Sequence, residues 1–433
     1  MALDSISHWW SRYRSVAIVY RIGAAFVLGS VVGLAVGEPV TVLEPLGDLF
    51  VRLLSMIVVP IIIFTLLMGI KELSPTSLGK IGGQVVAIYA VSSMIAVTIG
   101  LTVANLIEPG TGMTLTDADF EADEAPSFMD VFLGIVPENP IEAMATGDIL
   151  ATIFFVIVFG LALVLLREST DDESVRDGVE TVFNVADAGS QALFKVVWGI
   201  MEYGVIGIFA LMAVAFAEAG VEVFSTFAML ALTLVLAVMI HIMVVYLGVM
   251  ILLLTQQSPI AFLVGIKDAL MTAASISSSS ATLPVSMSNA DENLHLNEGV
   301  YSFSLPLGAT INMDGTGMYL GIVAIFAANV VGASLTLVEQ VTVVAIAVLA
   351  GIGTAGVPSA GLILMTLVLT QVGLPVAVVG FIAGIDPLLD RIRTMTNVTG
   401  DLAVATLVGH WNGGIDFTSG SWSGETDPLS TSD

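Results

Sequence analysis

The segment IDPLLDRIRTMTNVTGD, residues 385–401, places Asp390, Thr394, Asn397 and Asp401 at spacings of four, three and four. On a helix of 3.6 residues per turn these four share one face. Arg393 stands one position off that stripe and reaches the same side. The surrounding chain is apolar, and a charge at the centre of a bilayer costs about 2.5–3.5 kcal/mol on insertion scales. Several charges on one face therefore require a reason. One is a structural Asp–Arg pair buried between helices. The other is a polar binding stripe, in which the planar fork of an arginine suits a ligand carboxylate and a carboxylate suits a ligand ammonium.

Three further stretches carry polar chemistry inside apolar segments. In GATINMDGTGMY, residues 308–319, Gly308, Gly315 and Gly317 are expected to loosen a helix, while Thr310, Asn312, Asp314 and Thr316 supply oxygens. An oxygen-only set suits an alkali cation better than a transition metal, for which there is no cluster of Cys or His; a kinked helix with its polar groups satisfied internally is the alternative. AGIGTAGVPSAG, residues 350–361, holds four glycines and a proline and cannot form a regular span. Such backbone must line a cavity or lie inside protein, and it reads as the tip of a re-entrant hairpin offering amide N–H or C=O groups to ions. SISSSSATLP, residues 275–284, reads as a partner tip, with serines that satisfy the backbone locally and Pro284 ending the unwound stretch. A serine nucleophile would need a base nearby. None of the four histidines (His8, His241, His295, His410) lies in that segment, so no enzyme is expected.

The elements that must position these residues follow from hydropathy. The chain has 433 residues, 56% of them hydrophobic and 12% charged, and a mean hydropathy of +0.97. A bilayer core of about 30 Å takes about 20 residues of helix, and in lipid the backbone must satisfy itself, so the expectation is an all-α polytopic membrane protein. Apolar segments fall at about 15–36, 43–70, 81–107, 140–167, 190–217 and 223–254. Those at about 259–290, 300–330, 337–371 and 376–409 are interrupted near their middles, as in transporters whose broken helices meet at a mid-membrane site. The start is not expected to be a secretory signal: the first apolar stretch, Val16 to Val36, is span-length, and Trp9, Trp10, Arg12 and Arg14 precede it.

Basic residues set the expected orientation. Arg12, Arg14, Lys71, Lys80, Arg167 and Arg176 fall on one side, whereas residues 108–130 hold seven acids and no base. The N-terminus is therefore expected inside, and the tail from Trp411 is expected to be polar, acidic and disordered. The formal charge of −26 argues against nucleic acid or anionic lipid as a partner and would suit a high-salt habitat. With no cysteine, disulfides and thiolate metal sites are excluded.

SSSSATLP, GATINMDGT, GIGTAGVPSAG and DRIRTMTNVTGD, in this order and across essentially the whole chain, resemble the dicarboxylate/amino acid:cation symporter family, which includes the excitatory amino acid transporters and archaeal aspartate transporters. The resemblance, with the acidic composition, points to a halophilic archaeon. It implies eight transmembrane helices plus two re-entrant hairpins in inverted repeats, a homotrimer in the cell membrane with cytoplasmic termini, and elevator-type movement. Scaffold helices 1 and 2 would lie in 1–70, and helices 4 and 5 with the acidic outer loop in 108–222. The transport domain would comprise helix 3 in 71–107 and residues 223–410, with hairpins at about 259–290 and 337–371, ahead of a polar tail at 411–433. The second hairpin would be the outer gate.

The resemblance also implies roles, residue by residue. Arg393 would bind the substrate side-chain carboxylate and Asp390 its amino group, with hydrogen bonds from Thr394, Asn397 and Thr316. Ser277, Ser279, Val357 and Gly361 would hold the substrate at the two tips. One Na⁺ would lie at Asp401 with carbonyls of Gly308, Asn312 and Asn397. A second would use Thr310 and Met313 with carbonyls of Gly351, Ile352 and Thr354. A third would use Tyr89, Ser92, Ser93, Asn312 and Asp314. Arg393 favours an acidic substrate and Asp390 an amino acid. Arg391 is expected near Asp390, stabilising its charge and adjusting substrate release. The implied function is sodium-coupled symport of L-aspartate or L-glutamate, with a proton-coupled glutamate/dicarboxylate symporter as the alternative and an ion channel as a competing class.

Overall fold

The computed structural model describes residues 13, 15–71, 75–113, 133, 135–352 and 360–423. Most of the acidic loop, Thr354 and Val357 in the second tip, the start through Arg12 with Arg14, and the tail from residue 424 lie outside the described residues. Among the described residues all regular elements are helical, apart from one antiparallel bridge between Leu296 and Ile415.

The first half follows the apolar runs. Helix α1 (Ile18–Val36) is followed by a 3-10 turn, α2 (Glu44–Met56) and α3 (Val58–Lys71). Helix α4 (Pro75–Ile107) carries YAVSS. A short α5 (Pro140–Thr146) precedes α6 (Ile149–Ser169) and the 47-residue α7 (Glu173–Ala219). Side chains start several of these helices: Asn139 accepts the Ile141 N–H at 3.0 Å and Asp172 the Ser174 N–H at 2.9 Å, each satisfying an N–H that has no partner within its helix. Helix α7 packs along α1, α2, α3 and α6. Arg21 of α1 is clamped to it by a bidentate pair with Glu202, at 2.6 and 2.9 Å. Two fixed, parallel hydrogen bonds are the geometry in which a guanidinium tolerates an apolar setting.

Helix α8 (Glu222–Ile240) runs directly into a π-helical stretch, His241–Leu254. Then come α9 (Pro259–Gly265), α10 (Lys267–Ile276), α11 (Ser279–Ser288), α12 (Glu298–Ile311) and α13 (Asp314–Val330). The chain continues with α14 (Leu337–Ile352), α15 (Ala360–Gln371), α16 (Ala377–Ala383) and α17 (Asp386–Trp411). By length and composition, six helical stretches among the described residues can cross a membrane, or seven if α9 and α10, bent by 57°, count as one. Helix α17 is long enough, but charged and polar residues along its whole length, from Asp386 to His410, leave no stretch of it as apolar as those six.

Helices α10 and α11 form an antiparallel pair. Asn289 Oδ1 accepts the Ala269 N–H at 2.9 Å, and Asn293 Nδ2 donates to the Gly265 carbonyl at 3.0 Å. Both bonds are symmetric about Ser279, which places the turn in the serine block. The unwound part is shorter than expected: Ser277 alone takes a left-handed conformation (φ +55°), and Ser278 caps α11 by accepting the Ala281 N–H at 3.1 Å. Pro284 does not end the break but sits inside α11. It lies in the second turn, where its cost to the helix ladder falls on a carbonyl near the helix start.

The stretch after Trp411 departs from the sequence expectation of a disordered tail. Residues 412–423 fold back onto the loop between α11 and α12. The Asn297 N–H donates to the Gly414 carbonyl at 2.8 Å and the Asp416 N–H to the His295 carbonyl at 3.1 Å. Trp422 donates its indole N–H to the Leu294 carbonyl at 2.9 Å and stacks on Phe262 of α9. Phe417 meets Trp422 edge-on at 5.0 Å. Three apolar side chains (Ile415, Phe417, Trp422) in a polar stretch suffice, because a preformed surface is there to receive them. Within this segment the Thr418 hydroxyl (2.6 Å) foremost, the Thr418 N–H (2.9 Å) and the Ser419 hydroxyl (2.7 Å) hold the Asp416 carboxyl down at about 2.

Candidate functional site

Helix α17 crosses the break between α12 and α13, and the polar residues meet there. The break falls at Asn312–Met313, not at the glycines that were expected to loosen the helix. Asn312 Nδ2 donates to Asp401 Oδ1 at 2.8 Å and to the Asn397 carbonyl at 3.2 Å. An N–H in the first turn of the resumed helix, from Gly315, donates to Asn397 Oδ1 at 2.8 Å, and Asn397 Nδ2 lies 3.3 Å from Met313 Sδ. Helix α17 thus supplies the partners that a broken helix lacks. The glycines serve close approach instead. A Cβ on Gly315 would stand 2.5 Å from the Arg393 carbonyl oxygen, and one on Gly308 would collide with the Asp401 carboxylate and the Tyr89 hydroxyl.

Around this crossing are two clusters. In the first, the fully buried Arg393 donates from Nη1 to Asp386 at 2.8 Å and from Nη2 to Asp390 at 2.7 Å, while its guanidinium lies 4.2 Å above the Tyr319 ring. Gly361, at the start of α15, faces the same guanidinium: a Cβ there would be 2.8 Å from Arg393 Nη1. Thr394 is buried and gives its hydroxyl to the Asp390 carbonyl at 2.8 Å; Thr316 is buried on α13. Arg393 Nε, Asp386 Oδ2 and Tyr319 Oη are buried with no hydrogen-bond partner among the described residues. Two carboxylates held on one arginine, with donor and acceptor atoms left over, form a site that can exchange partners.

The second cluster surrounds Asp314, which is fully buried. Ser92 and Ser93 of α4 donate to its two oxygens, Ser93 at 2.5 Å. Tyr246 Oη donates at 2.6 Å and His241 Nε2 lies at 3.1 Å, both on Oδ2. Tyr89 Oη donates to the Ser304 carbonyl at 3.0 Å, beside Gly308. Asn312 Oδ1 is a buried acceptor without a partner among the described residues. Gly351 stands against Met313, a Cβ on it lying 3.4 Å away, and Thr310 and Ile352 line a common cavity of about 500 Å³ between α3, α7, α11 and α12. Oxygen donors dominate, and no group of three or more His, Cys, Asp or Glu able to hold a metal occurs among the described residues. Hard oxygen ligands suit a small hard cation.

The structure thus brings together Arg393, Asp390, Gly361 and Thr394, and separately Asn312, Asn397, Asp401, Gly308 and Tyr89, with Asp314, Ser92 and Ser93 alongside. Ser277 and Ser279 are buried at the α10–α11 turn, and both helices pack on α17. Arg391 is half-exposed, and among the described residues it makes no ion pair; the charge of Asp390 is met by Arg393, three residues on along the same face. Four residues escaped the sequence reading: Asp386, Tyr319, His241 and Tyr246. Asp386 was visible, since it precedes Asp390 by four and Arg393 by seven. The other three carried no local signal.

Residues 18–411 match the Sodium:dicarboxylate symporter family. The chain is 32% identical over 423 residues to a Proton/sodium-glutamate symport protein of Geobacillus stearothermophilus, covering 92% of this chain and 96% of that one. It is 33% identical over 390 residues to the Proton/glutamate-aspartate symporter of Escherichia coli, with 87% of each chain covered. It is also 31% identical over 407 residues to a C4-dicarboxylate transport protein of Azorhizobium caulinodans, covering 92% and 89%.

Proposed function

The chain belongs to the sodium:dicarboxylate symporter family, and from that premise we propose that it moves L-aspartate or L-glutamate inward with Na⁺. At the coarser level the protein is a membrane transporter and not an enzyme, and its activity is cation-coupled symport of an acidic small molecule. The observation that carries the finer reading is the juxtaposition, along α17, of the Arg393 cluster and the oxygen-rich group that Asn397 and Asp401 form with Asn312 of the neighbouring break.

The substrate side-chain carboxylate takes the Arg393 fork, which without substrate is shared by Asp386 and Asp390. Asp390 is released by that exchange and receives the α-ammonium. Thr394, Asn397, Thr316 and the tip residues Ser277, Ser279, Val357 and Gly361 add hydrogen bonds, and Arg391 tunes release. Na⁺ enters at Asp401 with carbonyls of Gly308, Asn312 and Asn397. Further Na⁺ use Thr310, Met313, Gly351, Ile352 and Thr354, and Tyr89, Ser92, Ser93, Asn312 and Asp314. Each Na⁺ crossing 100 mV contributes about 2.3 kcal/mol, enough in combination to concentrate an anion against its gradient.

In this reading residues 1–70 and 108–222 form the scaffold of a homotrimer in the plasma membrane, with both termini in the cytoplasm. Residues 71–107 and 223–410 form a transport domain of helices and two re-entrant hairpins that travels as an elevator. The second hairpin acts as the outer gate. A second reading, proton coupling, is favoured by the similarity to the Proton/glutamate-aspartate symporter of Escherichia coli. Uptake into proteoliposomes decides between them. Labelled aspartate, glutamate and succinate are offered under crossed Na⁺ and pH gradients. Concentrative uptake of the amino acids driven by Na⁺ alone is expected; uptake that follows the pH gradient and ignores Na⁺ overturns the sodium reading.

A further inference from the structure

The partners of Asp314 fall into two kinds. Ser92 and Ser93 donate hydroxyls that rotate freely, so each can turn its lone pairs toward a cation instead. His241 and Tyr246 are rings fixed by packing. Both are fully buried, and they stand edge to face with centroids 4.6 Å apart. Facing a carboxylate, His241 carries its proton on Nε2 and has no lone pair there to offer a cation. Its Nδ1 is buried with no partner among the described residues. Both rings act on Oδ2, which also takes the Ser92 hydroxyl, whereas among the described residues Oδ1 takes Ser93 alone.

Their pairing depends on the backbone. In an α-helix, residues five apart point well away from each other. The π-helical register over His241–Leu254 bonds i to i+5 and makes residues five apart neighbours on one face. His241 and Tyr246 reach one carboxylate oxygen because of that register. We propose that His241 and Tyr246 are positioning residues, which hold the Asp314 carboxylate by Oδ2 so that Oδ1 and the two serine hydroxyls are preorganised for the coupling cation. The inference rests on the sodium reading above and adds two residues to it. Outer-shell partners of this kind change metal affinity by about 10- to 100-fold when removed.

The test is the thermal unfolding midpoint of the purified full chain as Na⁺ is raised in place of choline at constant ionic strength, which reads cation binding without any assumption about substrate. His241→Ala and Tyr246→Phe are expected to raise the half-saturating Na⁺ concentration about 10- to 100-fold while reaching the same midpoint at saturation. His241→Gln, which can again donate an N–H to Asp314, is expected to recover most of the shift, as a merely space-filling role would not require. A half-saturating concentration unchanged in both His241→Ala and Tyr246→Phe overturns the inference alone. A wild-type chain with no Na⁺ response overturns the sodium reading and the inference with it. Tyr246→Phe keeps the ring and removes only the hydroxyl, so it stands as the measurement should His241→Ala fail to fold.

Discussion

Arg393 illustrates what a buried charge demands. With carboxylates at the edge of its guanidinium and the Tyr319 ring against one face, it is tolerable in an apolar interior only while its partners remain. Replacing Asp386 by Ala leaves Arg393 Nη1 without its acceptor, while Asp390 still balances the charge. The expected loss is about 1–3 kcal/mol, that of a buried donor left unsatisfied, seen as a lower melting temperature in detergent, with Asp386→Asn milder because it keeps an acceptor. Arg393→Cys acts on the ligand instead. Removing one member of a buried, hydrogen-bonded charge pair costs about 2–5 kcal/mol in binding, so aspartate and glutamate binding should weaken by at least about 30-fold. Neutral amino acids should become competitors in the same assay. Unchanged aspartate affinity in Arg393→Cys would remove that residue from the substrate site.

Among the elements, helices α13 and α17 approach so closely that a single methyl group is too much. At Gly315 the neighbour is backbone, which has little room to move, and overpacking of this kind costs about 1–3 kcal/mol. Gly315→Ala should therefore lower the unfolding midpoint even though alanine is the better helix former. The terminal segment makes the opposite point. Trp422 links the end of α17 to α9 and to the loop after α11 through one hydrogen bond and two ring contacts. Being half-buried, it should contribute about 1–2 kcal/mol by area. Trp422→Ala should raise hydrogen exchange at the Asn297 and Asp416 amides, which the same fold-back protects. Exchange left unchanged at those amides would mean that the segment docks without Trp422.

At the scale of the whole molecule, the net charge is −26, and among the described residues only Asp314, Asp386, Asp390 and Asp401 of the acidic side chains are buried. Such an excess repels itself and opposes the compact state, and added salt screens it over a Debye length of about 10 Å at 0.1 M and about 3 Å at 1 M. Raising choline chloride from 0.1 M to 1 M should therefore increase the melting temperature, without any sodium-specific effect. A flat response would show that the acidic surface is neutral to stability.

Local periodicity and ordered motifs account for everything that could be read from the order of residues alone. The apolar runs located the helices because a span must satisfy its own backbone. The stripe through Asp390, Thr394, Asn397 and Asp401 was legible because helical spacing alone puts those side chains together, and the same spacing would have added Asp386. Tertiary structure decided where those faces meet. His241, Tyr246 and Tyr319 lie tens of residues from the carboxylates they serve or in a π register that no α-helical pattern anticipates. The break at Asn312–Met313 depends on Asn397 and Asp401 being present to receive its loose ends. The docking of residues 412–423 depends on a surface built by α9, α11 and α12. Contacts of long sequence separation leave no periodic trace, so only the packed chain reveals them.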